Sequence, residues 1–111
     1  MVSEDRRKSP RFAVEVPVRL TAGGAAVTGR LKDICRDAAL VETDAPQILD
    51  SPVTLALELP GTGGPLQVGG RVIRLAPGEG GRHGAAILFT EVSPSVEARI
   101  AFFVELRGSG P

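Results

Sequence analysis

The sequence has one cysteine, one histidine and neither tyrosine nor tryptophan. A single cysteine excludes an internal disulfide and any metal site built from several cysteines. The four phenylalanines are too few for the aromatic stacking platforms of single-strand nucleic-acid binders. No apolar run approaches the roughly 18 residues of a transmembrane helix, and the charged N-terminus lacks the apolar region of a secretory signal. We therefore expect a protein of the reducing cytoplasm with no membrane insertion.

An excess of charge is missing as well, because 13 Lys and Arg balance 13 Asp and Glu. The charges are nevertheless unevenly placed along the chain. Residues 1–36 carry eight cations against four acids, whereas residues 37–111 carry five cations against nine acids. A nucleic-acid binder usually has an overall basic excess, so we expect no DNA or RNA partner. The asymmetry predicts a local anion site near the N-terminus.

A basic segment dominates the start of the chain, with the sequence Arg6-Arg7-Lys8-Ser9-Pro10-Arg11. It has no apolar side chain except proline, so it cannot join a core but can fold over a bound anion. Within it, Arg7 and Arg11 form an R-x-x-x-R pair. Two guanidinium groups can make bidentate contacts to phosphates and stack on flat bases. We interpret residues 1–11 as a flexible basic arm, and a solubilising tail is the alternative interpretation.

Six short segments after the arm have the apolar–polar alternation or the turn-bounded apolar pattern of β-strands. The clearest is the first, where Phe12, Val14, Val16, Val18 and Leu20 alternate with mostly polar residues. Pro17 lacks an amide donor, which predicts a place facing a sheet edge, and Gly69-Gly70 predicts a bulge or bend. The strands are predicted at about 12–21, 26–34, 38–42, 53–59, 66–75 and 85–89.

The C-terminal segment changes to helical spacing. Ser93-Pro94 has the pattern of an N-cap followed by proline at the first helical position. Apolar residues then recur with a period near 3.6, and Gly108 is a plausible end. The fold class is therefore mainly β: a six-stranded antiparallel β-barrel whose open end is covered by one C-terminal α-helix. We assign residues 12–107 to this domain and 108–111 to a tail. The helical stripe consists of Val96, Ile100, Phe103 and Val104.

A second motif, Asp33-Ile34-Cys35-Arg36-Asp37-Ala38, lies at the junction of the second and third strands. With the R-x-x-x-R pair about twenty residues before it, and the strand–Ser-Pro–helix order over residues 83–94, it resembles the PilZ domain family. The pattern of that family is R-x-x-x-R followed by D/N-x-S-x-x-G. The resemblance covers roughly residues 6–106 and implies a PilZ-type barrel with a C-terminal helix.

The resemblance also implies a ligand, cyclic di-GMP, which has two guanines and two phosphates. By that resemblance Arg7 and Arg11, with Arg6 beside them, bind phosphates and stack on guanine faces. Asp33 accepts hydrogen bonds from a guanine edge or orients an arginine. Cys35 and Ala38 stand where the family has serine and glycine, and we include both in the ligand site.

These two departures predict weaker binding. A thiol is a poorer donor than a hydroxyl, which costs roughly 0.5–1.5 kcal/mol. If the glycine position requires positive φ, alanine adds roughly 1–2 kcal/mol. The sum corresponds to a roughly ten- to several-hundredfold loss of affinity.

Two function classes therefore stay open. One is a cyclic di-GMP receptor that orders its arm on the ligand and signals to an unidentified protein partner. The other is an adaptor that does not bind the nucleotide and acts through protein contacts alone. The resemblance implies motility, surface polysaccharide or virulence control in either case. We predict no enzyme activity, no metal and no cofactor, because His83 lies among glycines without recognisable catalytic partners.

Overall fold

The computed structural model describes the backbone from Phe12 to Gly108 and the side chains from Glu15 to Glu105. The predicted arm, including Arg6, Arg7 and Arg11, lies outside the described residues. The strands are β1 (Phe12–Ala22), β2 (Ala25–Ile34), β3 (Ala38–Thr43), β4 (Pro52–Leu57), β5 (Leu66–Pro77) and β6 (His83–Glu91), and the helix is α1 (Pro94–Gly108). A short 3₁₀ turn, Glu79–Gly81, joins β5 to β6.

The six strands form a closed antiparallel barrel in the order β1-β2-β3-β6-β5-β4. This confirms the predicted fold class. Because every pair is antiparallel, the connections divide between two ends. The start of β1, the β2–β3 turn, the β4–β5 loop and α1 share one end, which we call the helix end. The β1–β2 turn, the β3–β4 loop and the β5–β6 turn share the other, which we call the loop end.

The bounds of two strands differ most from the prediction: β6 runs from His83 to Glu91 and is longer than predicted at both ends, and β4 ends at Leu57 instead of continuing to Leu59. Pro60 follows Leu59 and has no amide N–H to donate to a strand ladder, so regular pairing does not continue through it. The Leu59 carbonyl instead accepts hydrogen bonds from the amide and the hydroxyl of Thr62, at 3.2 and 2.8 Å. The Leu59 side chain is still buried, so the predicted alternation correctly identified its inward direction.

The predicted irregularity at Gly69-Gly70 is confirmed. The β5–β6 register shifts between these two residues, where Thr90 of β6 is an extra residue. A Cβ at Gly70 would lie 2.5 Å from the Leu88 carbonyl oxygen and 2.7 Å from Ile87 Cγ2. Only glycine therefore allows β5 and β6 to approach this closely. Pro17 lies just outside the stretch of β1 that pairs with β4, which begins at Val18.

Inward-facing side chains of all six strands fill the barrel, and α1 covers the helix end. Its Ile100, Phe103 and Val104 are buried against the barrel core, which confirms the predicted helical stripe. Burial of each such side chain stabilises the fold by about 1.5–3 kcal/mol. Ser93 is the N-cap, since its Oγ accepts a hydrogen bond from the Val96 amide at 3.3 Å. Within the described part of the chain, no helix has the length and apolarity needed to cross a membrane.

A side chain of α1 also fixes the β4–β5 loop. The Arg99 guanidinium donates hydrogen bonds to the carbonyls of Thr62 at 2.8 Å, of Pro65 at 3.4 Å, and of Gly64. Three backbone acceptors that belong to no strand ladder are thereby satisfied. The helix end is thus closed by both apolar packing and a polar clamp.

Candidate functional site

The β2–β3 turn holds the second motif in a tight conformation. The Cys35 amide donates to the Ala38 carbonyl at 2.8 Å, which closes a short turn with Arg36 and Asp37 at its tip. The Asp37 carbonyl accepts a hydrogen bond from the Phe89 amide at 2.8 Å. The turn is therefore anchored to β6 as well as to its own hairpin.

Strand register brings Asp33 into a row with residues from three other strands. Asp33 pairs with Leu40 of β3, Leu40 pairs with Ala86 of β6, and Ala86 pairs with Arg74 of β5. All four belong to the outer face of the barrel, where their side chains are half-buried or exposed. With Ala38 and Ala39 they line a shallow depression of about 40 Å³. We call this set, Asp33, Ala38, Leu40, Arg74 and Ala86, the outer row.

The chemistry of the outer row suits a flat ligand with hydrogen-bond donors and an anionic group. Its centre is a floor of small or aliphatic side chains, against which a planar ring can lie. Asp33 at one side supplies a carboxylate that accepts N–H donors. Arg74 at the other side supplies a guanidinium that can hold a phosphate bidentately or stack on a base.

Arg74 is a candidate site residue that the sequence reasoning missed. A bulge in β5 between Val72 and Arg74, where Ile73 is the extra residue, brings Arg74 opposite Ala86. No hydrogen bond or ion pair of the Arg74 side chain is recorded among the described residues. Single-sequence alternation cannot find such a residue, because the bulge changes which β5 side chains point outward.

The predicted site residues divide into three groups. Asp33 and Ala38 both line the depression of the outer row, and their role in binding a ligand stays a prediction. Cys35 does not line it, and this residue is only 9% exposed. Arg6, Arg7 and Arg11 lie outside the described residues.

The attachment point of the arm can still be located. Arg11 directly precedes Phe12, which pairs with Ile34, and Ala13 pairs with Asp33. The arm is therefore joined to the barrel beside Asp33, so its root adjoins the outer row.

The backbone at Ala38 corrects one expectation. Asp50 is the one non-glycine residue with positive φ in the described chain. Ala38 consequently has an ordinary strand conformation, and the penalty considered for alanine at a positive φ does not apply. The glycine position of the motif carries no left-handed strain in this chain.

A separate charge cluster lies on the outer wall at β1 and β2. Lys32 Nζ donates to Glu15 Oε2 at 2.5 Å, and Arg30 Nη1 lies 3.5 Å from Glu15 Oε1. The hydrogen bond and charge of Lys32 lower the pKa of the Glu15 carboxyl, and the hydrogen bond that Lys32 donates to Glu15 raises the pKa of Lys32. Lys32 is thus engaged by Glu15, although it neighbours Asp33.

Two further observations limit the search for other sites. Among residues 15–105, no three His, Cys, Asp or Glu side chains are grouped as a metal site would require. A cavity of about 410 Å³ lies at the loop end among residues such as Leu20, Val27 and Ile48. It is lined almost wholly by uncharged side chains and contains no residue of either motif.

Comparison with known protein families identifies the family of the chain. A family model described as the PilZ domain matches residues 5–106. No curated protein matches the chain significantly.

Three solved structures illustrate the similarity. The PilZ domain of CeSA from a cellulose-synthesizing bacterium is 25% identical, with a TM-score of 0.67 over 90% of this chain and 99% of that one. The PilZ domain of YcgR from Escherichia coli, solved with cyclic di-GMP, is 15% identical, with a TM-score of 0.68 over 93% of this chain and 94% of that one. The Bacillus subtilis inhibitor of motility, MotI/DgrA, is 13% identical, with a TM-score of 0.80 over 93% of this chain and 51% of that one. The chain therefore spans about half the length of the motility inhibitor.

Proposed function

Because this chain belongs to the PilZ domain family, whose model matches residues 5–106, we propose that it is a cyclic di-GMP receptor. The ligand lies on the outer row, and the basic arm of residues 1–11 closes over it. Arg7 and Arg11, assisted by Arg6, hold the phosphates and stack on guanines. The ordered arm then forms part of a surface that a partner protein recognises.

The observation that carries this proposal is the juxtaposition of Asp33 and Arg74 across an apolar floor at the root of the arm. A guanine edge presents N–H donors, which suit the Asp33 carboxylate. Arg74 offers charge for a phosphate or a flat surface for a second base. The solved complex of the YcgR domain with cyclic di-GMP gives a precedent in the same fold.

The ordinary strand backbone at Ala38 lowers the loss of binding free energy that we expect from the two departures of the motif. With no positive φ at Ala38, only the replacement of serine by Cys35 remains. Loss of one hydrogen bond costs about 0.5–1.5 kcal/mol, a roughly two- to tenfold weakening. A receptor of micromolar or better affinity would therefore keep useful binding.

Calorimetric titration with cyclic di-GMP tests the proposal. The full chain should bind, and Arg7→Ala with Arg11→Ala should abolish binding. Asp33→Ala and Arg74→Ala should each weaken it about tenfold or more, since each removes a charged hydrogen-bonding group. Arg19→Ala, an exposed arginine on β1 outside the outer row, is the matched control. Absence of heat at tens of micromolar protein would contradict the receptor function.

The two departures can be tested one at a time. Cys35→Ser should tighten binding by at most about two- to tenfold, which is the full gain of one hydroxyl hydrogen bond and requires that the ligand reach this buried position. Ala38→Gly should not tighten it, since Ala38 has no strained backbone to relieve. A gain from Ala38→Gly alone would show that the ligand requires a closer approach at this position than the apo fold indicates.

A second candidate function is an adaptor that works without the nucleotide. The burial of Cys35, at 9% exposure, favours it, since a buried thiol offers little to a ligand. In this case a partner protein should be recovered equally well in pull-down experiments with and without cyclic di-GMP. Recovery that depends on the nucleotide would favour the receptor.

A further inference from the structure

The tip of the β2–β3 turn is connected to the C-terminal helix by one ion pair. Arg36 Nη1 lies 3.8 Å from Glu105 Oε2, and the two side chains are 48% and 70% exposed. Among the described side chains it is the one ion pair recorded between α1 and the barrel. The motif turn and α1 are therefore in direct electrostatic contact.

This contact is weak by its geometry. The N···O distance exceeds the 2.7–3.2 Å range of N–H···O hydrogen bonds, so charge attraction alone acts. Exposed ion pairs of this kind change the equilibrium constant of folding by a factor of about one to five. A stronger anion close by can consequently take Arg36 from Glu105.

We propose that Arg36 is a further phosphate-binding residue and that Glu105 competes with the ligand for it. The inference rests on the proposed function. Arg36 lies between Asp33 and Ala38 in the chain, at a turn that adjoins the outer row and the root of the arm. Lys32, its nearest cationic neighbour in sequence, is engaged by Glu15. A guanidinium can exchange a single loose carboxylate contact for a bidentate phosphate contact.

The exchange has a consequence for α1. When Arg36 turns to the ligand, Glu105 loses its recorded partner, and the C-terminal part of the helix loses a tether to the barrel. Phe102, one turn earlier, is 55% exposed. Ligand binding therefore changes the freedom and charge of a helix that already presents an exposed aromatic side chain.

Calorimetry on four variants tests the competition. Glu105→Gln should raise the affinity for cyclic di-GMP by about two- to fivefold, since it removes the competitor. Arg36→Gln should lower it by about tenfold or more, because a charged hydrogen bond to phosphate is lost. In the Arg36→Gln background, Glu105→Gln should have no further effect. Glu97→Gln, the same charge change on an exposed residue of α1, is the control and should leave affinity unchanged.

Hydrogen exchange supplies a second readout. Saturating cyclic di-GMP should speed amide exchange near the C-terminal end of α1 in the wild type, but not in Arg36→Gln. An equal affinity gain from Glu105→Gln with and without Arg36 would overturn the competition. The gain would then come from the loss of one negative charge near the ligand and not from the release of Arg36. Normal binding with no response to Glu105→Gln would overturn this inference alone. Absence of binding in every variant would overturn the proposed function as well.

Discussion

The two ends of the barrel are closed in different ways. At the helix end, Ile100, Phe103 and Val104 are each no more than 3% exposed. At the loop end, Ile48 and Leu49 of the β3–β4 loop are 72% and 51% exposed beside the cavity of about 410 Å³. Apolar burial therefore closes the helix end, whereas the loop end leaves apolar surface uncovered.

At the loop end, hydrogen bonds hold the β3–β4 loop against β5. The Asp50 amide donates to the Val72 carbonyl at 2.8 Å, and the Val72 amide donates to the Ser51 carbonyl at 3.0 Å. Arg71 Nη1 donates to the Asp50 carbonyl at 2.8 Å. Each such bond contributes about 0.5–1.5 kcal/mol net, less than a buried aliphatic or aromatic side chain. The buried apolar side chains of α1 therefore contribute more stability at the helix end than these hydrogen bonds contribute at the loop end.

Replacement of Phe103 should have the largest effect. Phe103→Ala leaves a cavity between α1 and the barrel and should lower the free energy of unfolding by about 3–5 kcal/mol. Its neighbour provides the control, because exposed Phe102→Ala should change it by less than about 0.5 kcal/mol. Urea denaturation measures both. Similar losses for the two variants would contradict the closure of the helix end by burial.

The polar contacts of the two ends can be compared through two arginines. Arg99→Met removes three hydrogen bonds to the β4–β5 loop and should cost about 1–3 kcal/mol. Arg71→Met removes one bond to the β3–β4 loop and should cost about 0.5–1.5 kcal/mol. Thermal unfolding of the two variants gives the order. A greater loss from Arg71→Met would show that the loop end matters more for stability than its exposure indicates.

The exposed apolar residues of the loop end should be dispensable for folding. Ile48→Ser with Leu49→Ser should change the free energy of unfolding by less than about 0.5 kcal/mol, since both side chains are largely solvated already. Denaturant midpoints at equal slope provide the measurement. A substantial destabilisation would mean that these side chains cover the cavity in solution.

The smallest expected effect on stability comes from the Glu15–Lys32 pair, on the outer wall between the two ends. Because the folded-state pKa of Glu15 is lowered by Lys32, the pair adds stability above the unfolded carboxyl value of about 4.3, and this is lost as pH falls. The raised pKa of Lys32 keeps the pair intact up to about pH 10. The melting temperature of Glu15→Gln should thus fall below that of the wild type at neutral pH and converge with it in acid. Glu58→Gln is the control, because Glu58 is exposed and has no partner among the described side chains. Its melting temperature should stay close to that of the wild type at neutral and at acid pH.

The outer row contains residues that could be predicted from the sequence and one that could not. Asp33 and Ala38 could be predicted as candidates because they occupy positions of one short motif, residues 33–38. Arg74 was not found, because its place depends on a β5 bulge and on pairing through β6. Alternation predicted the inward direction of Leu59 but not the end of β4 at Leu57, because the loss of strand pairing before Pro60 leaves the apolar alternation unchanged.

The six strands, the capped C-terminal helix and the family follow from the amino-acid sequence alone. Local chemistry is sufficient for these, since alternation, turn glycines and an N-cap act on adjacent residues. The composition of the outer row, the sealing of the helix end and the contact of Arg36 with Glu105 follow from the tertiary structure. These depend on strand register and on packing between segments far apart in the chain, where a shift of one residue reverses the direction of every side chain.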